Sequence, residues 1–271
     1  MRFLLILIPF VFIVGCFEAD AQILNIERAR ADRDSVNFLT GKAGFNFSLF
    51  NRNAGKANPN NYLQLNFTGD VAYISGKHSY LLLNYFNYML VNYNSEERTT
   101  VASTGYSHFR VNFLKANKLS YEAFAQVQAD KARGLDLRTL AGAGLRYRLL
   151  RTENANLFAG SGLMHEHETW EEPELEGVNQ TADLIKWTNY ISTKVKFNDY
   201  VGTEAIVYYQ TGYDKTIENF RNRVSGDVAL QVKLNGRLSF RTTFNCTFED
   251  RPLVPVTKFV YAVTNGIQVE F

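Results

Sequence analysis

The chain has 271 residues, 46% hydrophobic and 21% charged, with 29 basic against 27 acidic side chains for a net charge of +2. Its mean hydropathy is −0.21, and beyond the N-terminus no apolar run reaches the roughly 18–20 residues that a spanning helix needs, which excludes a helical membrane protein. The near balance of charge, without a basic cluster or a nucleic-acid motif, gives no pull toward DNA or RNA.

The N-terminus reads as an export signal. Arg2 precedes an apolar stretch from Phe3 to Val14, and Ala19 and Ala21 then form an A-x-A pattern, which favours cleavage after Ala21. The stretch Ile13-Val14-Gly15-Cys16 encodes the competing route, cleavage before Cys16 with lipidation of its thiol. The "DAQ" junction ahead of "ILNIE" resembles those common in Bacteroidetes. Without the leader only Cys246 remains, so no intrachain disulfide can form and stability must come from packing and strand pairing.

From Val36 onward the sequence divides into about twelve segments of alternating polarity, a period-2 signal with no convincing helical period. Their approximate spans are 36–50, 62–75, 78–93, 101–115, 119–130, 136–151, 155–170, 183–197, 200–213, 220–234, 237–249 and 258–271. Long connections such as "NRNAGKANPNN", "EEPELEGVNQTA" and "DRPLVPVT" alternate with short ones such as "GK", "TENA" and "NG". This asymmetry is what an up-and-down outer-membrane barrel with periplasmic termini produces, and a water-soluble sandwich has no comparable reason for it.

Two faces are readable in the clearest segments. Leu238, Phe240, Phe244 and Phe248 oppose Arg237, Arg241 and Glu249, and Ile185, Trp187, Ile191 and Val195 oppose Lys186, Lys194 and Lys196. Alternation alone fits any half-buried sheet. The export signal, the loop asymmetry and aromatic residues near strand ends (Tyr62, Tyr73, Tyr93, Tyr200, Tyr213, Phe259) favour an apolar face turned to lipid and a charged face turned to a lumen. The expected fold is an all-β transmembrane antiparallel up-and-down barrel of about twelve strands. Residues 1–21 would be the signal peptide, 22–35 a short periplasmic segment and 36–271 the barrel.

The stretch "LRTLAGAGLRYRLLRTENANLFAGSGLMHEHETW" carries a G-x-G-L-R-Y strand followed by G-x-G-L-x-x-E-x-E. With the signal peptide and terminal aromatic strand, it resembles the family of unknown function numbered 481, the salt-induced outer-membrane proteins of the YdiY type. The resemblance implies an outer-membrane barrel and brings no catalytic or binding residues. The terminal strand also looks like the signal read by the barrel-assembly machinery, with Tyr261, Val263, Ile267 and Val269 on one face and Phe271 last.

The lumen is expected to carry Arg138, Arg146, Arg148, Glu166, Glu168, Glu204, Arg221, Arg223, Arg237, Arg241 and Glu270. Register through the "TENA" turn would set Arg138 near Glu168 and Arg146 near Gly160, and register of the last hairpin would set Arg237 opposite Glu270. This row reads either as a narrow ion or solute path or as a lumen filled by salt bridges, with Gly142, Gly144, Gly160 and Gly162 making room. A barrel of about twelve strands is only modestly wider than the eight-stranded kind that side chains fill, which favours filling.

Other chemistries find less support. His165 and His167 share a strand face but lack a third ligand with zinc-like spacing, so they read as a polar rim. Ser107 and His108 are adjacent and fall on opposite faces of a strand, which is no hydrolase pair. An adhesin using the acidic loop Glu171 to Gln180 is the remaining alternative. The expected partners are outer-membrane lipid and the assembly machinery, with no cofactor, no metal, no nucleic acid and a monomeric state.

Overall fold

The computed structural model describes residues 37–53, 59–91, 99–172, 178–235 and 238–269. The leader, Tyr93, Arg237, Glu270 and Phe271 lie outside the described residues, as do residues 173–177 of the acidic loop.

Twelve antiparallel strands form one sheet in chain order. They are β1 (Phe38–Asn53), β2 (Pro59–Ile74), β3 (Ser79–Val91), β4 (Thr99–Phe113), β5 (Leu119–Asp130), β6 (Leu135–Arg151), β7 (Ala155–Glu171), β8 (Asn179–Lys196), β9 (Val201–Asp214), β10 (Asn219–Lys233), β11 (Leu238–Glu249) and β12 (Phe259–Val269). At 11 to 18 residues each they are far longer than the mean strand of about 5–6. The described residues contain no ladder joining β12 back to β1. The fold is the all-β up-and-down barrel architecture that the alternation and loop pattern predict.

Strand limits differ from the sequence reading where polar residues extend a ladder. β8 begins at Asn179 rather than near 183, because Asn179 and Gln180 pair with Glu171 and Trp170 although neither is apolar. In β6 the register shifts between Arg148 and Leu150, so Leu149 and Leu150 are both exposed, 50% and 46%. One extra residue in a strand is a bulge, and it breaks the period-2 pattern at that point.

The outward face is apolar. Phe45, Phe47, Leu163, Ile185, Trp187, Ile191, Val207, Phe220, Tyr261, Val263 and Ile267 all stand exposed. The inward face is polar and crowded, and the sheet rolls far enough for its inner surfaces to meet. Ala72, Leu81 and Leu83 from β2 and β3 cluster with Tyr190, Ile206 and Tyr208 from β8 and β9, five or more strands away in the sheet order. The glycines permit the close wall. A Cβ on Gly144 would lie 2.6 Å from the Ser161 carbonyl, and one on Gly160 would lie 2.1 Å from the Tyr190 ring.

Candidate functional site

The interior has two ends. One, the long-loop end, lies beneath the connections β5–β6, β7–β8, β9–β10 and β11–β12, of which only β7–β8 and β11–β12 are long and the other two are comparable with the turns opposite; the other, the short-turn end, lies at β2–β3, β4–β5, β6–β7, β8–β9 and β10–β11.

At the long-loop end, strand pairing brings eight acidic and basic side chains together. Arg138 on β6 sits opposite Glu168 on β7, and its Nη2 donates to Glu168 Oε2 at 2.9 Å. Glu166, one turn of the pleat away, accepts from Lys186 Nζ at 2.6 Å and from Arg223 Nη1 at 2.9 Å. Arg221 pairs with Glu168, with Asp214 at 3.2 Å and with Glu249 at 2.6 Å. Arg223 also reaches Glu249 at 3.1 Å. All eight side chains are buried, and Glu166 and Glu168 have no exposed surface. Four cations meet four carboxylates, so the network is neutral. Each carboxylate satisfies more than one donor, the condition under which buried charge is tolerated.

A lid covers this network. In the β11–β12 connection Leu253 and Val254 turn inward and pack with Leu135, Trp170, Ala182, Leu184 and Val256. The Arg138 guanidinium lies 5.6 Å from the Trp170 ring centre, joining the apolar lid to the ionic layer below it. A cavity of ≈ 100 Å³ lies within the interior, bordered by Arg138, Arg223 and Glu249 of the network and by His108, Gln128 and Tyr208.

Farther toward the short turns, Glu122 on β5 holds Arg110 Nη1 at 3.2 Å and Arg146 Nη1 at 3.6 Å, and accepts from the Tyr190 hydroxyl at 2.6 Å. At the short-turn end itself, Glu204 takes Lys194 at 3.5 Å and Arg241 at 3.4 Å. Arg148 donates to the carbonyls of Lys115, Ala116 and Asn117 and so braces the β4–β5 turn.

The candidate residues therefore fall into separate groups. Arg138, Glu166, Glu168, Arg221 and Arg223 meet in the neutral network, Arg146 joins Glu122, Arg241 joins Glu204, and Arg148 stands at a turn. The Arg237–Glu270 pairing lies outside the described residues. Tyr261, Val263 and Ile267 form the outward row of β12, while the side chain of Val269 is not described. The expected lumen row lacks Lys186, Asp214 and Glu249 of the network, and Arg110, Glu122 and Tyr190 of the second group. The alternation His108, Arg110, Asn112 was the available signal for β4, since all three are buried.

His108 is buried inside, its Nδ1 3.0 Å from Gln126 Oε1, and Arg110 Nε lies 3.4 Å from its Nε2. His165 and His167 are on the outer face, 3.6 and 2.8 Å from Asp183, away from Glu166 and Glu168.

A family profile described as "Protein of unknown function, DUF481" matches residues 59–264. The chain belongs to the DUF481 family. The DUF481 match spans β2 through most of β12 and includes every member of the ionic network. Among curated proteins none matches the chain. Among solved structures, the chain is similar to one titled "CymD monoaromatic hydrocarbon channel", at 14% identity and a TM-score of 0.29, over 86% of this chain and 78% of that one. A likeness of that size transfers nothing from that protein.

Proposed function

We propose that this DUF481 protein is a filled β-barrel of the bacterial outer membrane, a passive envelope component whose lumen is closed at rest. The observation that carries the reading is the inverted distribution of polarity. Leu, Ile, Phe and Trp side chains cover the outside while Lys186, Arg221, Glu166 and Glu168 are buried inside. A water-soluble sheet does the opposite, because contiguous exposed apolar surface is costly in water and charge is costly in a core. A bilayer removes the first cost, and the paired network offsets the second. In this reading the short turns face the periplasm, the long loops face outward, and the outward row of β12 serves the assembly machinery.

Filling is supported by three layers in series: the lid of Leu253 and Val254, the neutral network beneath it, and the apolar cluster where β2 and β3 meet β8 and β9. The purified protein in a planar bilayer is expected to give no unitary conductance at any voltage that the membrane tolerates. Resolved current steps would replace this reading with the second one, a narrow channel. That alternative is favoured by the ≈ 100 Å³ cavity beside the network, and in it the lid would be the gate.

A further inference from the structure

The interior is electrically asymmetric. Against the neutral network at one end stands a second cavity, of ≈ 140 Å³, at the other, lined by Arg110, Lys115, Lys118, Arg146 and Arg148 with no carboxylate in its wall. Glu122 holds both Arg110 and Arg146 from behind that wall, without lining the cavity itself. Arg110 and Arg146 are 5% and 2% exposed, and both are fixed in place. The Arg146 guanidinium stacks 3.6 Å from the Phe158 ring centre, and Arg110 lies 5.0 Å from that of Phe124. Asn117 and Lys118 at the rim are exposed, so the cavity opens to solvent beside the β4–β5 turn.

We propose that this cavity is a binding site for a small phosphate-bearing anion entering from the short-turn end. A concave surface of one sign with low-dielectric walls focuses the potential and concentrates counter-ions. Planar guanidinium groups match the oxygens of a phosphate better than ammonium groups do. The volume is several times the roughly 10–15 Å³ that one ordered water requires, which leaves room for an oxyanion with some of its hydration. The geometry assigns the buried arginines to the anion and the rim lysines to its capture.

The test uses the full mature chain in detergent, so its outcome is independent of conductance. Inorganic phosphate is titrated by calorimetry, with chloride at matched ionic strength as reference. Saturable phosphate binding is expected, weakened at least tenfold in Lys115→Gln/Lys118→Gln and unchanged in Lys233→Gln at the same end of the barrel. Should the double variant not fold, Lys115→Gln alone is read, since Lys115 lines the cavity and is half-buried, whereas the Lys118 ammonium lies 5.1 Å from the ring centre of the outward-facing Tyr147. Glycerol 3-phosphate in a parallel titration separates a lipid head group, which it imitates, from free phosphate; tighter binding of either supports the site and names its source. Equal heats for phosphate and chloride, wild-type affinity in the rim variant, or an equal loss in Lys233→Gln would each overturn the proposal.

Discussion

Glu166 has no exposed surface and holds Lys186 and Arg223 in charge-assisted hydrogen bonds, with Arg138 Nε a further 4.0 Å away. Removing one partner of such a group leaves cations buried without their counter-charge, which typically costs about 3–5 kcal/mol. Glu166→Gln is therefore expected to lower the stability of the solubilised barrel by about that amount in urea-driven unfolding. Lys196→Gln, which removes an exposed pair with Asp199, is expected to leave the transition where it was. Arg138–Glu168 could be foreseen, because a short turn fixes the register of the two strands that it joins. Glu166–Arg223, 57 residues apart, and Glu122–Tyr190, 68 apart, could not be foreseen. They depend on how tightly the sheet rolls, which no local pattern encodes.

At the scale of elements, the β11–β12 connection departs most from its sequence reading. It has the length and turn residues of an outward loop, yet Leu253 and Val254 go inward; the apolar content of "PLVPV" was the one hint. The connection is moored where it leaves β11. Asp250 accepts from the Asn222 backbone N–H and from Asn222 Nδ2, each at 2.8 Å. Burial would raise the Asp250 pKa, but the two Asn222 bonds, with the charge and backbone N–H of Arg251, together outweigh it and hold the carboxyl below the ordinary aspartate value. A lowered folded-state pKa means that the mooring is at full strength above the unfolded value of about 3.9 and weakens only as pH falls through the lower, folded one. Hydrogen-exchange protection of the Asn222 amide, corrected for intrinsic rate, should be flat from about pH 7 to 5 and decline below about 3.9. A decline beginning near neutrality would show that another group controls the loop.

At the scale of the whole molecule, strand number, order and facing were legible because a two-residue period is repeated along nearly the whole chain; the long–short alternation of loops is weaker in the structure, where β5–β6 and β9–β10 are as short as the turns opposite. The exceptions were local, as at the bulge after Arg148 and in the polar start of β8. The same facing makes the membrane reading testable without any functional assay. Leu163 is 61% exposed at the middle of β7, and an arginine there would meet hydrocarbon if the barrel spans a bilayer. Leu163→Arg should then destabilise the lipid-embedded protein by about 2–4 kcal/mol, against almost nothing for a surface position in water. Near-zero loss in vesicles would place that face in solvent. The members of the neutral network come from β6, β7, β8, β9, β10 and β11. No subset of those strands is complete on its own, since each missing strand would strand a buried charge. The C-terminal half of the sheet is thereby bound into one cooperative unit, in which a strand cannot open without exposing the charge balance of its neighbours. Because its pairs reach from Arg138 to Glu249, and Glu166–Arg223 joins residues 57 apart, that unit is expected to close only once β6 through β11 are all in place.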